Sequence, residues 1–570
     1  MKKIFTITLS MFCVLTNVVS AIAAIPPNAA DTTAGPRALI ADTGFRPGVN
    51  GFKFENYTNS LNPVNLTPAS MQRLFGNVVC ATLENGVCLL TPPAQQWMQQ
   101  QNNSMNGGHC EGMAVLASFI YTNTVTPAPL GAATVPEFEL QNNAALQSEI
   151  AYWFATQATL PSSATEDRNQ NPADVLTKLI DEFKKPNGQR EEFVLGLYKP
   201  EYKDGHAVSP YAIDDRGDNI FWIMVYDNNF PNQERYVEVN RAANSWRYTT
   251  AINPAEAQSE YIGSADTKTL TLIPLSVRIQ PQICPFCEAA NPLRGDLNYR
   301  EKFGAGAAVS RDEVIVNGDD VNVLITDANN RRLGYTTVGQ KVKLVKEIPD
   351  ADFATVRTNF NDSQPPIYYV PNSNVYTVTL DGANLTKTAE TNVSVFGAGY
   401  VLGVESIILD PGQKDQIVID SKDAQRSYTV TYSTAYNESP FLVMGIETDD
   451  ASYEVDVIAY GDASGLSLTL NLNHNTGKVS VRTNLTSGDE HYDLRVTRID
   501  ATGEHVFNSN NISLAAASTH YIDYAAWTNP SRPLTIGVDN GNNGSIDRTL
   551  TLSTASKIYM PLLLNQKSPQ

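Results

Sequence analysis

The chain has 570 residues, room for three or four domains of about 150 residues each. Hydrophobic residues make up 42% and charged residues only 18%, the usage of a chain that buries cores and not of a disordered one. Asp and Glu outnumber Lys and Arg 60 to 41, and a net charge of −19 argues against a phosphate-backbone partner, so no nucleic acid is expected.

In chain order, Lys2 and Lys3 precede a mostly apolar run from Ile4 to Val19 and the small-residue site Ala21-Ile22-Ala23. Residues 1–23 therefore read as a secretory signal peptide, and the product as secreted, extracellular or periplasmic. The apolar run falls short of the roughly 20 residues that span a bilayer, so no membrane span is expected. Beyond it, helices and strands alternate. Thr67 caps and Pro68 starts a helix to about Phe75. Thr91-Pro92 starts another through Ala94 to Gln101, and a third begins at Cys110. Apolar spacing predicts helices over Leu140–Thr159 and Pro172–Lys184, with strands at 192–198, 206–213 and 220–227.

From about residue 275 only period-two alternation remains, as at Leu466, Leu468, Leu470 and Leu472 or at Tyr428, Val430 and Tyr432. That pattern marks half-buried antiparallel strands. The expected architecture is an α+β domain over 24–275 followed by two all-β sandwich-like modules, 276–438 and 439–570. No sequence repeat relates them. The modules carry no His/Cys/Asp cluster, and no chemistry of their own is expected. They suit contact with a cell surface or polymer.

Five cysteines follow the leader. Cys80 and Cys88 flank the turn Glu84-Asn85-Gly86, and Cys284-Pro-Phe-Cys287 is a CxxC, so a disulfide is the favoured state of each pair. A redox centre or half a zinc site are the rivals for the CxxC. Cys110 is left over, and a free thiol in an oxidising compartment calls for a job. It lies in Met105-Asn-Gly-Gly-His-Cys-Glu-Gly-Met, where two glycines lead into an apolar-periodic helix. A helix N-terminus favours a thiolate, and its free N–H groups can hold an oxyanion. An ionisation below that of a free thiol is therefore expected. Folding the hairpin 206–227 about Arg216 and Gly217 sets His206 opposite Asp227, the geometry of a carboxylate orienting an imidazole. A bulge would bring Asn228 there instead.

A free Cys at a helix start, then a strand-borne His, then Asp or Asn on the next strand, resembles the papain-like cysteine peptidases. The segments GGHCEGM, GHAVSPYA and VYDNN are similar to those of a group of secreted bacterial proteins with this layout and trailing β modules. The resemblance covers about residues 45–250. It implies an α+β papain-like fold, Cys110 as nucleophile, His206 as base and Asp227 as orienter, with Asn228 the alternative. Two departures stand out: Glu111 replaces the usual aromatic after the nucleophile, and Ser104 replaces the glutamine six residues before it. Gln101, Asn103 and Asn106 are the nearby oxyanion candidates.

The expected activity is a cysteine hydrolase, a peptidase or amidase acting on protein, peptide or peptidoglycan, with no cofactor and no metal. The rivals are an inactive scaffold serving adhesion and a transglutaminase-type acyl transferase. Three features read as ordinary structure. His109 should be a surface or supporting residue, because successive side chains diverge. Arg216-Gly217-Asp218 reads as turn chemistry. Asp539–Asp547 is similar to a calcium loop but has Leu550 at the final ligand position, and Asn543-Gly544 reads as a hairpin turn.

Overall fold

The computed structural model describes residues 38–250, 260–287 and 311–553, apart from 340, 373–374, 423–424, 436–437, 461–464, 466 and 530. The leader expected over 1–23 and the alternating position Leu466 lie outside these residues.

Capping fixes where the helices start. Thr67 accepts the Ser70 N–H at the head of helix Pro68–Phe75, and Thr91 accepts the Ala94 N–H at the head of Pro92–Ser104. Helix Cys110–Tyr121 follows. The next runs Ala144–Ala155, shorter than its apolar pattern, because the Asn143 side chain takes the Leu146 N–H and sets the start there. Helix Pro172–Phe183 opens on a capping box between Asn171 and Asp174.

These helices cover an antiparallel sheet of eight strands. Its path runs Leu270–Pro274, Phe193–Lys199, Lys203–Asp215, Ile220–Tyr226, Arg235–Asn240, Ser245–Thr249, Glu260–Ser264, with Ala38–Asp42 added beside Lys203–Asp215. Helix Pro172–Phe183 buries Val175, Leu176, Leu179 and Phe183 on one face of the sheet, against Leu195, Val208, Ile223 and Val237. The other helices pack with Val194, Ala207, Ala212 and Tyr226 on the opposite face. Helix Cys110–Tyr121 is buried on all sides as far as Ile120. It crosses Ala144–Ala155 at Gly112, where a Cβ would come 2.1 Å from the Ile150 carbonyl oxygen.

The C-terminal strands form two facing antiparallel sheets, of nine and eleven strands. Hairpins enter them alternately. Ala389–Gly397 with Tyr400–Leu409 joins the first, Lys414–Lys422 with Ser427–Ser433 the second, Phe441–Glu447 with Ser452–Tyr460 the first, Ser467–Asn473 with Lys478–Thr483 the second. The expected division near residue 438 is thereby corrected. Tyr400–Leu409 pairs with Phe441–Glu447, and Ser427–Ser433 with Ser467–Asn473, so both sheets run across it. One apolar core extends from Val314 to Ile536. Period-two alternation reports which face a residue takes and is silent on which strand lies beside it.

The sandwich is not a free appendage. Helix Pro92–Ser104 lies on its nine-stranded sheet, Trp97 Nε1 donates to Glu313 Oε1 at 3.1 Å, and Asn317 Nδ2 donates to Ser104 Oγ at 2.9 Å. Ile315, Ile367, Phe396 and Val401 belong to the same apolar cluster as the helices.

Candidate active site

Cys110 is the first residue of its helix, and His206 lies on the adjoining strand Lys203–Asp215. The Ala207 N–H points at Cys110 Sγ at 3.4 Å. His206 Nε2 is 2.9 Å from Asp227 Oδ1, and His206 Nδ1 is buried without a partner. Asp227 also accepts the Asn229 N–H at 2.9 Å and the Tyr248 hydroxyl. Its burial favours the neutral acid, but His206 and these donors outweigh that and hold the carboxyl below its usual range.

The hairpin register differs from the expected one. Ser209 faces Tyr226, and beyond a bulge Ala212 faces Met224, so His206 and Asp227 are not ladder partners. Asp227 sits just past the end of Ile220–Tyr226, in a turn, and reaches His206 from there. Asn228 serves a different purpose. Its Nδ2 donates to the carbonyls of Cys110 at 2.9 Å and Ala207 at 3.4 Å, tying the helix start to the strand.

The site is covered. Cys110, His206, Asp227 and Asn228 are all fully buried. The cover is a segment of the sandwich, residues 355–366, between strands Asp352–Ala354 and Ile367–Pro371. The Thr358 N–H donates to the Gly205 carbonyl at 3.0 Å. The Thr358 carbonyl accepts the Cys110 N–H at 3.3 Å and Asn56 Nδ2 at 3.0 Å. The His109 N–H donates to Asn56 Oδ1 at 2.7 Å, which fixes the amide with its nitrogen toward Thr358. Asn359 bonds Gly107 and Asn229, and the Phe360 ring lies 3.9 Å from the His206 ring. The sandwich is not remote from the candidate site: its loop touches the Cys110 backbone.

The glycines have a role beyond tight turning. A Cβ on Gly108 would stand 2.5 Å from the Thr358 carbonyl oxygen, and one on Gly205 2.4 Å from that of Val356. Both glycines make room for another backbone.

Arg357 anchors the segment. Its guanidinium bonds Glu111 at 2.6 and 3.2 Å, Glu166 at 3.1 Å and the Tyr198 hydroxyl at 2.6 Å. Arg278 pairs with the other side of Glu111. Two arginines thus balance two buried carboxylates, and Glu111 stays below its usual range although burial alone would raise it. Glu111, the residue after Cys110, serves this anchor. The thiol itself is pushed well above its ordinary value, mainly by burial, with the Glu111 charge adding to it. The expectation of an easily ionised thiol is therefore overturned for the covered site, where desolvation exceeds the help from the helix terminus and the Ala207 N–H.

None of the oxyanion candidates next to Cys110 bonds the Thr358 carbonyl. Gln101 Nε2 is buried without a partner, Asn103 lends its carbonyl to the Asn106 N–H, and Asn106 Oδ1 accepts from Asn59. The amide at the carbonyl is Asn56, far upstream, and no local spacing announces it. His109 is no surface residue: it is buried between the Tyr57 carbonyl and Asn65, and burial lowers its pKa to about 4. Arg216-Gly217-Asp218 forms a turn with Arg216 stacked 3.7 Å over Trp222. Asp539 accepts the N–H groups of Asn543 and Gly544, as in a closed turn. Disulfides join Cys80 to Cys88 and Cys284 to Cys287, and Cys110 is free. Among the described residues no helix is long and apolar enough to cross a membrane.

No family model, no curated protein and no solved structure matches the chain.

Proposed function

We propose that the chain is a secreted cysteine hydrolase, a peptidase or amidase of papain-like type. Cys110 attacks an acyl carbon, His206 takes the thiol proton and returns it to the leaving group, and Asp227 holds the imidazole tautomer. Asn56 and the Cys110 N–H form the oxyanion hole. The observation that carries this reading is the Thr358 carbonyl, a peptide C=O gripped by two N–H donors at the head of the cysteine's own helix. Three further points support it. His206 has one ring nitrogen on Asp227 and the other unpartnered. The Asn56 amide is oriented in advance by His109. The two disulfides suit an oxidising compartment. Protein, peptide or peptidoglycan is the substrate class.

One observation favours the inactive binding scaffold instead: the thiol is fully covered. The Phe360→Ala chain separates the two, since it lifts the ring over His206 without touching the three residues or Asn56. It should turn over an amide in a panel of peptides and peptidoglycan fragments, and iodoacetamide should label Cys110 and stop it. A folded Phe360→Ala chain that neither turns over nor takes the label leaves the scaffold reading.

A further inference from the structure

We infer that the peptide bond between Thr358 and Asn359 is a substrate of the chain's own Cys110, so that the protein cuts itself there. The inference rests on the hydrolase reading above.

A covering segment can lie in a cleft in either direction, and the contacts tell the two apart. Here one residue, Thr358, supplies both groups. Its N–H goes to the carbonyl of Gly205, the residue before His206, and its C=O goes to the Cys110 N–H and Asn56. The bond that follows that carbonyl therefore lies over the nucleophile's helix start, with Asn359 leading on to Phe360 beside the His206 ring. An inhibitory cover that ran the other way, or set a side chain over the site, would not place a backbone carbonyl between these two donors.

The surroundings hold this register on both sides. Arg357, just before the bond, is locked by Glu111, Glu166 and Tyr198, and its N–H donates to Gln157 Oε1 at 2.9 Å. Asn359, just after it, is held by Gly107 and Asn229. Restraint of both reacting partners is what raises effective molarity, and a tethered peptide needs no binding step.

The step balances as follows. Cys110 Sγ bonds to the Thr358 carbonyl carbon while its proton passes to His206. The negative charge that develops on the Thr358 oxygen is met by the Cys110 N–H and Asn56 Nδ2. The carbon–nitrogen bond to Asn359 breaks, and His206 gives its proton to that nitrogen, which becomes a new amino terminus. One water then hydrolyses the Thr358 thioester, leaving a carboxylate and restoring the thiol. The halves stay together after the cut, because Arg311–Asn317, before the bond, pairs with Ile367–Pro371 and Ala389–Gly397, after it. The product is a nicked protein with its cleft able to open.

The experiment follows the purified full chain over time by reducing denaturing gel and intact mass. Cys110→Ala and Cys110→Ser chains are run alongside. Conversion to two fragments, the second beginning at Asn359, at a rate independent of concentration and absent from both Cys110 variants, is expected. An Asn359→Pro chain should stay whole. Cleavage in the Cys110 variants would assign the cut to another protease and overturn the inference. A wild-type chain that stays whole while its Phe360→Ala form hydrolyses an added peptide also overturns it, and the hydrolase reading survives. A whole wild-type chain with an inert Phe360→Ala form removes both.

Discussion

The two halves of the molecule use loops in opposite ways. In the sandwich most connections are short turns: Gly397 and Tyr400 close one hairpin, Glu447 and Ser452 another, and each hairpin hands the chain to the facing sheet. Hairpins begin at residues 389, 414, 441, 467, 489 and 518, each adding to its neighbours as repeats do. In the α+β domain the irregular segments do the positioning. Asp227 sits in a turn, Asn56 in a loop, and Cys110 follows Gly107-Gly108. The exception in the sandwich is the connection 355–366, which leaves its own sheets and enters the other domain's site.

The comparison breaks first if the α+β domain can stand alone. We expect a chain ending near residue 280 to give no folded protein. It would lose Arg357 from two buried carboxylates and uncover the helix that carries Trp97. Leaving buried charges unpaired costs about 3–5 kcal/mol by itself. A soluble truncated chain with native circular dichroism would show that the domains are independent.

The next test concerns the α+β domain alone. In the Phe360→Ala background, His206→Ala should lower hydrolysis by about a thousandfold or more, because it removes both the base and the acid. Asp227→Asn should lower it less than His206→Ala does, since an amide oxygen can still accept the imidazole N–H. The comparison is read from initial rates on one peptide substrate. Equal losses for the two variants would mean that Asp227 does more than orient.

Much of this is legible in the sequence, and unevenly so. Caps at Thr67, Thr91 and Asn171, with proline at the first helical position, give helix starts directly, because capping is local. The pairs Cys80–Cys88 and Cys284–Cys287 follow from proximity along the chain. His206 and Asp227 stand out through a ladder pairing that is lost because the hairpin turns about Asp218 and not between Arg216 and Gly217, yet the carboxylate still reaches the ring from its turn. What stays hidden is long-range. Asn56, Arg278 and Arg357 reach the site through tertiary packing, and no period or motif ties them to Cys110. Glu111 shows as a departure from the papain-like pattern, but its arginine partners are 167 and 246 residues away. The repeat of hairpins is invisible at that level because its only sequence demand is alternation, which every strand shares.

A smaller effect probes the seam between the halves. Trp97 is fully buried and donates to Glu313, whose own burial raises its pKa to about 8. Trp97→Ala should destabilise by about 3–5 kcal/mol, from the cavity and the lost donor. Denaturant titration reads it. A loss near zero would place the seam's stability in the apolar contacts of Phe396 and Val401 instead.

The smallest expected effect is a pH dependence of the cover. Asp362 lies on the segment, against Gly107, and its carboxylate accepts the Thr358 hydroxyl. Burial comes first and the Asp319 charge second in raising its pKa to about 7. Asp204 adds to the negative field. Lys387 acts on Asp319, and Lys199 pairs with Asp204. With the segment open, Asp362 returns to the ordinary range near 4. The closed form therefore binds more protons between about pH 4 and 7. Closure is strongest below that window, weakens as pH rises through it, and levels off above about 7. Hydrogen exchange across 355–366, corrected for its intrinsic pH dependence and measured in the Cys110→Ala chain, should show opening rise about 80-fold from pH 5 to 8. Asp362→Asn removes the titrating charge and should flatten the profile. The same rise in both chains would assign the pH dependence to another group.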